Sequence, residues 1–199
     1  MYLKQRDKDI LNFIEKWGSA NATIIGNLFF SDCKDSYYNA SRRLKILCQD
    51  RFLKKYRKDM YSKNIYFMGA KPLTEHQIKL LEVYSKLSML GNTITLEREV
   101  SVPCGSKKRK NDGVITLSRE DDKYIYEYLF IVEIDLTHDT NTTKINQVAE
   151  SNYYQNKYDL EPVWIIVKHN EYQKKYYTNS SNIIYVNWNL DELNENIFE

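Results

Sequence analysis

Short apolar runs dominate the second half of the chain, and they constrain its fold more than any other feature. Two of them lie in the stretch KNDGVITLSREDDKYIYEYLFIVEID, at residues 113–117 and 124–134. Such runs, rich in β-branched and aromatic residues and bounded by turn residues, are typical of β-strands. The same pattern predicts further strands at residues 93–102, 163–167 and 183–186.

Helices flank these strands. Thr74 with Gln77 three residues later has the pattern of a capping box, and it predicts a helix that runs from there to about residue 90. A second, more polar helix is predicted at residues 142–158. The predicted order of elements in residues 71–199 is therefore α-β-β-β-α-β-β.

The first seventy residues have a different pattern. Apolar residues recur every three or four positions in residues 6–18, 23–30 and 34–50, which predicts three amphipathic helices. Residues 51–69 read as two short alternating segments around a turn, which is typical of a β-hairpin. Three helices followed by a basic hairpin is the order of a winged helix-turn-helix.

Charge divides the chain in the same way. The 199 residues carry a net charge of +2, but residues 1–70 carry +7 and residues 71–199 carry −5. We therefore predict an α+β protein of two domains, a winged helix-turn-helix at 1–70 and an α/β domain at 71–199. A basic first domain favours a nucleic-acid partner.

In a winged helix the third helix enters the major groove while basic residues of the wing meet phosphates. The alternatives are that these charges form only a solvated face, or that the module contacts proteins. The predicted contacts with double-stranded DNA are Ser36, Tyr38, Asn39, Ser41, Arg42, Arg43 and Lys45 of the helix, and Lys54, Lys55, Arg57, Lys58 and Lys63 of the wing.

Several classes of protein are disfavoured by the sequence. The three cysteines and three histidines are isolated, without the spacing of a zinc site or a disulfide framework, and no Gly-rich phosphate loop occurs. No stretch has the roughly 20 apolar residues that span a bilayer. The N-terminus is charged where a signal peptide is apolar, so we expect a cytoplasmic protein without a membrane partner.

Three carboxylates accompany the strands. Asp112 begins the second predicted strand, and Glu133 and Asp135 end the third, an arrangement that resembles the PD-(D/E)XK nuclease core. In that core carboxylates from adjacent strands bind Mg²⁺, so the resemblance implies a metal site at Asp112 and Glu133. Asp135 stands where the motif has lysine, and Asn111 stands where it has proline. Lys144 or Gln147 of the next helix is the candidate replacement for that lysine.

The structural alternative is that these residues have no catalytic role. Asp112 before a glycine is a common turn residue, and Glu133 and Asp135 could face solvent at a sheet edge. The basic segment GSKKRKN before Asp112 is either a solvated hairpin loop or a phosphate contact that brings DNA to the carboxylates.

Read in order, the chain resembles the replication-relaxation family of plasmid and mobile-element proteins. The resemblance rests on RRLKIL and FLKK in the first domain, the DG strand, and EID at the end of an apolar strand, and it covers residues 6–167. It implies a winged helix followed by a restriction-endonuclease-like domain, with EID as the family's own form of the motif.

The expected function is that of a DNA-binding accessory protein for replication or transfer of a plasmid, phage or conjugative element, without catalysis and without a cofactor for DNA binding. Replication or transfer proteins and a second copy in a homodimer are the expected partners. One alternative is a Mg²⁺-dependent deoxyribonuclease in which Asp112, Glu133, Asp135 and Lys144 are catalytic. The other is a winged-helix transcriptional repressor.

Overall fold

A computed structural model describes residues 2–121, 123–169 and 182–198 of the protein. Within these residues the chain forms six α-helices and two β-sheets, which confirms the predicted α+β class. It divides into two compact units, Met1–Met89 and Leu90–Glu199. None of the described helices combines the length and the apolar character that crossing a membrane requires.

The first unit contains four helices and a small sheet. Its strands are antiparallel in the order β1-β3-β2. Its elements are α1 (Gln5–Trp17), β1 (Ser19–Asn21), α2 (Ala22–Phe29), α3 (Ser36–Gln49), β2 (Lys54–Tyr56), β3 (Ile65–Phe67) and α4 (Glu75–Leu87).

The helices pack around a core that the apolar periodicity largely predicts. Ile10 and Ile14 of α1, Ile24 of α2 and Leu44 and Leu47 of α3 are fully buried. Strand β1 was not predicted, because three residues are too few to show an alternating pattern. Strand β1 forms because it pairs with β3, which is distant from it in the sequence.

Helix α4, which the sequence assigned to the second domain, lies in the first unit. Its N-cap Thr74 and the capping box with Gln77 are present as predicted. Glu82 is buried and accepts hydrogen bonds from Asn21 Nδ2 at 2.7 Å and from Lys63 Nζ at 2.8 Å, and it also pairs with buried Lys79. These polar contacts join α4 to β1 and to the hairpin, so the first unit ends after Met89 and not at residue 70.

We expect Glu82→Ala to destabilise the first unit by about 3–5 kcal/mol, because Lys79 would remain as a buried cation without its carboxylate. Burial alone would raise the pKa of Glu82, but the charges of Lys79 and Lys63 outweigh it and hold that pKa below its ordinary value. Urea unfolding measures the loss. Glu75→Ala is the control, because its ion pair with Lys58 is exposed and should contribute about 1 kcal/mol or less. Equal losses in the two variants would contradict this account.

The second unit contains a five-stranded sheet in the order β4-β5-β6-β7-β8. Strands β4 to β6 are antiparallel neighbours, and β6, β7 and β8 run parallel. The elements are β4 (Thr93–Cys104), β5 (Lys107–Glu120), β6 (Ile125–Asp135), α5 (Thr142–Glu150), α6 (Tyr153–Tyr158), β7 (Pro162–Lys168), β8 (Ile183–Asn187) and a 3₁₀-helix at Glu195–Phe198.

All five predicted strands are present, and the predicted helix at 142–158 is two helices. The break falls at Asn152, whose φ of 50° lies in the left-handed region that asparagine tolerates better than most residues. Tyr154 of α6 packs with Ile145 and Val148 of α5 against Ile131 and Ile166 of the sheet. The two helices thus cover one face of the sheet where β6 connects to β7.

Candidate nucleic-acid interface and carboxylate site

Helix α3 presents a polar face on the side opposite its core residues. Asp35 caps the helix by accepting a hydrogen bond from the Tyr38 backbone N–H at 2.8 Å. Tyr38, Arg42 and Lys45 are exposed and lie at the i, i+4 and i+7 positions, which place them in one row. Tyr37 is also 53% exposed. The exposed row has the mixture of charge and hydrogen-bonding capacity that DNA contacts require.

The other predicted residues of α3 are less accessible. Ser36, Asn39 and Ser41 are half-buried, and the Asn39 side chain donates to the Asp35 carbonyl. Arg43 forms two hydrogen bonds with the carboxylate of buried Asp7 on α1. Burial tends to raise the pKa of Asp7, but the hydrogen bonds and charge of Arg43 outweigh it and lower that pKa. Arg43 therefore ties α3 to α1.

The β2–β3 hairpin carries the predicted wing residues. Lys54, Lys55, Arg57 and Lys58 are exposed. Arg57 also bonds to the carbonyls of Ser62, at 2.8 Å, and Met60, so it braces the turn of the hairpin. These four cations give the hairpin an exposed positive surface.

Lys63, also predicted as a wing contact, is bound to Glu82 as described above. Its side chain remains half exposed, but its ammonium holds the end of the hairpin against α4. Its structural role is to fix the position of the hairpin.

Glu133 and Asp135 do not face solvent at a sheet edge. Strand β6 is the central strand of the five, and the two carboxylates are 3% and 7% exposed. They share a face of the sheet because they are two residues apart on one strand. Burying two carboxylates costs free energy unless each has polar partners. The groups that contact each carboxylate therefore show what the site can do.

Glu133 is paired with the candidate lysine of the next helix. Lys144 Nζ lies 2.6 Å from Glu133 Oε2. No described residue forms a hydrogen bond with the buried Glu133 Oε1. Burial raises the pKa of Glu133 to about 8 against the opposing charge of Lys144, and Asp112 and Asp135 add to the rise.

Asp112 lies at an irregular point of the sheet. It was predicted to begin a strand but lies inside β5, where the β5–β6 ladder ends at Gly113 opposite Val132. Beyond that pair its carboxylate accepts a hydrogen bond from the Ile134 N–H at 2.8 Å. Opposite Asp112, Glu99 of β4 has a φ of 56°, a conformation that costs free energy for a residue other than glycine. Asp112 thus lies beside the end of β6 that carries Glu133.

Asp135 is held by partners of its own. It accepts hydrogen bonds from the Thr140 N–H and hydroxyl, at 3.0 and 2.7 Å, and Lys168 Nζ lies 3.7 Å away. Lys168 also bonds to Asp139 at 3.0 Å. These contacts fix the segment between β6 and α5, so Asp135 supports the site while Glu133 and Asp112 line it.

Sequence reasoning missed Lys168 and Tyr154. Lys168 ends the apolar strand β7 and is paired with Asp135 in the parallel register. A charged residue at the end of an apolar strand is the sequence feature that could have indicated its role. Tyr154 is buried and its hydroxyl accepts a hydrogen bond from Asn111 Nδ2 at 2.8 Å. Gln147, an alternative to Lys144, accepts from Arg109 at 2.7 Å and so contacts β5.

Asp112 and Glu133 can supply part of the ligand set of a divalent cation. Among the described residues no group of three His, Cys, Asp or Glu side chains is placed to hold a metal ion. Mg²⁺, however, is commonly bound through one or two carboxylates, with water and substrate phosphates completing its ligands. Asp112 and the buried Glu133 Oε1 offer such carboxylate oxygens.

The raised pKa of Glu133 predicts how the free energy of unfolding depends on pH when chelator keeps metal ions away. The folded state holds this proton up to about pH 8, whereas the unfolded chain releases it near the ordinary value of 4.5. The retained proton therefore stabilises the folded state fully below about pH 4.5. This contribution to the free energy of unfolding falls as the pH rises to about 8, by at most about 1.4 kcal/mol per pH unit. Urea unfolding of the wild type and Glu133→Gln at several pH values measures it. We expect the wild type to lose stability relative to Glu133→Gln as the pH rises, and a constant difference would contradict the assignment.

Comparisons of the chain with protein-family models, with curated proteins and with solved structures gave no match.

Proposed function

We propose that the protein binds double-stranded DNA through α3 and the β2–β3 hairpin. The observation that supports this most is the exposed row of Tyr38, Arg42 and Lys45 on a helix that is anchored by Asp7 and Arg43. A rigid helix with an exposed polar row is suited to the major groove, and exposed cations of an accompanying hairpin are suited to phosphates. The order of three helices and a hairpin also supports a winged helix-turn-helix.

The biological setting belongs to the same proposal. The resemblance to replication-relaxation proteins leads us to propose an accessory role in the replication or transfer of a plasmid, phage or conjugative element. A basic first domain joined to an acidic second one suits such a role, since one part binds DNA and the other is left for a separate task.

A second candidate function is metal-dependent cleavage of DNA by the second unit. The pairing of Lys144 with Glu133 favours it, because it brings a lysine from the next helix to the carboxylates, where the nuclease motif has its lysine. A strand order with three antiparallel strands and a parallel crossover through α5 is also compatible with a nuclease-like core.

In that function Asp112 and Glu133 would hold Mg²⁺, which polarises a phosphate and lowers the pKa of an attacking water. Lys144 Nζ lies 2.6 Å from the Glu133 carboxylate and is placed to orient the water and the phosphate. Asp135, bound to Thr140 and Lys168, keeps the end of β6 in position. Since burial raises the pKa of Glu133, metal binding must displace its proton, and metal binding should become tighter as the pH rises.

One experiment separates the two functions. The purified protein is incubated with labelled single- and double-stranded DNA in Mg²⁺, in Mn²⁺ and in chelator, and both band shift and cutting are scored. A shift in chelator without cutting in either metal supports DNA binding alone. Cutting that requires metal supports the second function, and the absence of both shift and cutting contradicts both.

A further inference from the structure

A second basic surface lies in the second unit. Residues 100–111 of β4 and β5 form a two-stranded ribbon that we call the basic arm, from Val100 paired with Asn111 to Cys104 paired with Lys107. Its turn is Gly105–Ser106, with Gly105 at a φ of 61°. The basic residues of GSKKRKN therefore lie on β5 and not in a loop. Since the β5–β6 ladder starts at Gly113, the arm extends past the paired part of β6.

The two faces of the arm differ. Val102 and Asn111 are fully buried on one face, where Asn111 contacts Tyr154 and Arg109 contacts Gln147. This face holds the arm against α5 and α6. On the other face Ser101, Pro103, Lys108 and Lys110 are all exposed, and Lys107 is exposed beside the turn. The arm is thus a supported ribbon with a positive outer face.

The composition of the outer face narrows the kind of partner. It carries no large apolar side chain, whereas a membrane-binding surface or the centre of a protein interface needs them. The positive charge of this face contrasts with the net charge of −5 that residues 71–199 carry. Glu99 lies 3.0 Å from Lys110, but both side chains are more than half exposed, so this pair is weak and can exchange for a phosphate.

The arm also leads to the carboxylate site. Lys110 is two residues from Asp112 on the same strand, a distance of about 7 Å. Arg109 contacts Gln147 on α5, one turn along from Lys144, which pairs with Glu133. A two-stranded ribbon is one of the two elements that fit the major groove of B-DNA.

We propose that the basic arm is a second nucleic-acid contact, in which Lys107, Lys108 and Lys110 bind backbone phosphates. The contact is separate from the proposed contact through α3. In this proposal the second unit binds nucleic acid, whether or not its carboxylate site cleaves DNA.

The test compares four forms of the full chain: the wild type, Lys107→Gln/Lys108→Gln/Lys110→Gln, Arg42→Ala/Lys45→Ala, and the five changes combined. Arg109 is kept because it supports the arm. The charge-matched control is Lys8→Gln/Lys71→Gln/Lys123→Gln, three exposed lysines outside both surfaces. Affinity for labelled duplex and single-stranded DNA is measured in chelator between about 0.05 and 0.2 M salt.

We expect the arm variant to bind about 10-fold or more weakly, with a log-log salt slope that is smaller by about 2 to 3 because each phosphate contact contributes about 0.9. The control should change the slope by less than about 1. Equal effects of the arm variant and the control would overturn the proposal and show that the arm is only a solvated face. An unchanged affinity of the arm variant would also overturn it, and an acidic protein partner would then be the better reading.

The results for the two proposals are distinguishable. Loss in the arm variant without loss in the α3 variant would support the arm and contradict binding through α3, and the reverse would overturn the arm. A photo-reactive residue at position 108 gives a direct readout that does not depend on affinity. It should crosslink to DNA, whereas the same residue at position 123 should not, and no crosslink at position 108 would overturn the proposal.

Discussion

Replacing Arg42 and Lys45 together with alanine is expected to weaken binding of double-stranded DNA by about 30-fold or more, because each side chain would lose a phosphate or base contact worth about 1–3 kcal/mol. Both residues lie on the exposed face of α3, one turn apart. Neither contributes to the core formed by Leu44 and Leu47, so the variant should fold with unchanged stability. Fluorescence anisotropy with a labelled duplex measures the loss.

The matched control for this variant is Lys8→Ala with Lys16→Ala, two exposed lysines on α1. It removes the same charge from the same unit and should reduce affinity only slightly. Equal losses in the two variants would mean that binding depends on overall charge, and they would contradict a specific role of α3.

The second large effect is expected at the carboxylate site, if the protein cleaves DNA in Mg²⁺ or Mn²⁺. Lys144→Ala should reduce cleavage by about 100-fold or more, since removing one positioned hydrogen-bond donor at a reacting group costs about 10²–10³ in rate. Glu133→Ala should reduce cleavage at least as much, because it also removes a metal ligand. Both variants should keep the affinity of the wild type for DNA in chelator, because the α3 contacts are unchanged. Cleavage is followed as nicking of plasmid DNA.

Glu150→Ala, an exposed carboxylate on the same helix as Lys144, is the control for this test. It should cleave as fast as the wild type. Cleavage that survives in both Glu133→Ala and Lys144→Ala would place the active site elsewhere or identify a contaminant. Binding without cleavage in the wild type would leave the contact between Glu133 and Lys144 with a structural role only.

Much of the fold follows from the sequence alone. The four helices of the first unit and all five strands of the second were predicted from apolar spacing, and the capping box of Thr74 and Gln77 correctly marked the start of α4. These features depend on residues close together in sequence. Strand β1 and the break at Asn152 were missed, because the first requires a distant partner and the second breaks a helical pattern at a single residue.

The roles of charged residues were harder to predict. A sequence shows that Arg43, Lys63 and Lys168 are cations, but it does not show that each is bound to a buried carboxylate on another element. The unit boundary was misplaced for the same reason, since Glu82 on α4 joins the first unit through such contacts. Lys144 is the exception. Because Asp135 stands where the nuclease motif has lysine, the sequence predicts a replacement lysine on the next helix, and Lys144 of that helix does contact Glu133.

The measurement that tests the central claim most directly is the salt dependence of duplex binding by the wild type and by Arg42→Ala/Lys45→Ala, in chelator. Binding through α3 and the hairpin predicts that the wild type binds with a steep negative log-log slope. The variant should bind more weakly, with a slope that is smaller by about 1 to 2. Wild-type binding that is absent, or is equal to that of the variant at every salt concentration, would contradict the claim.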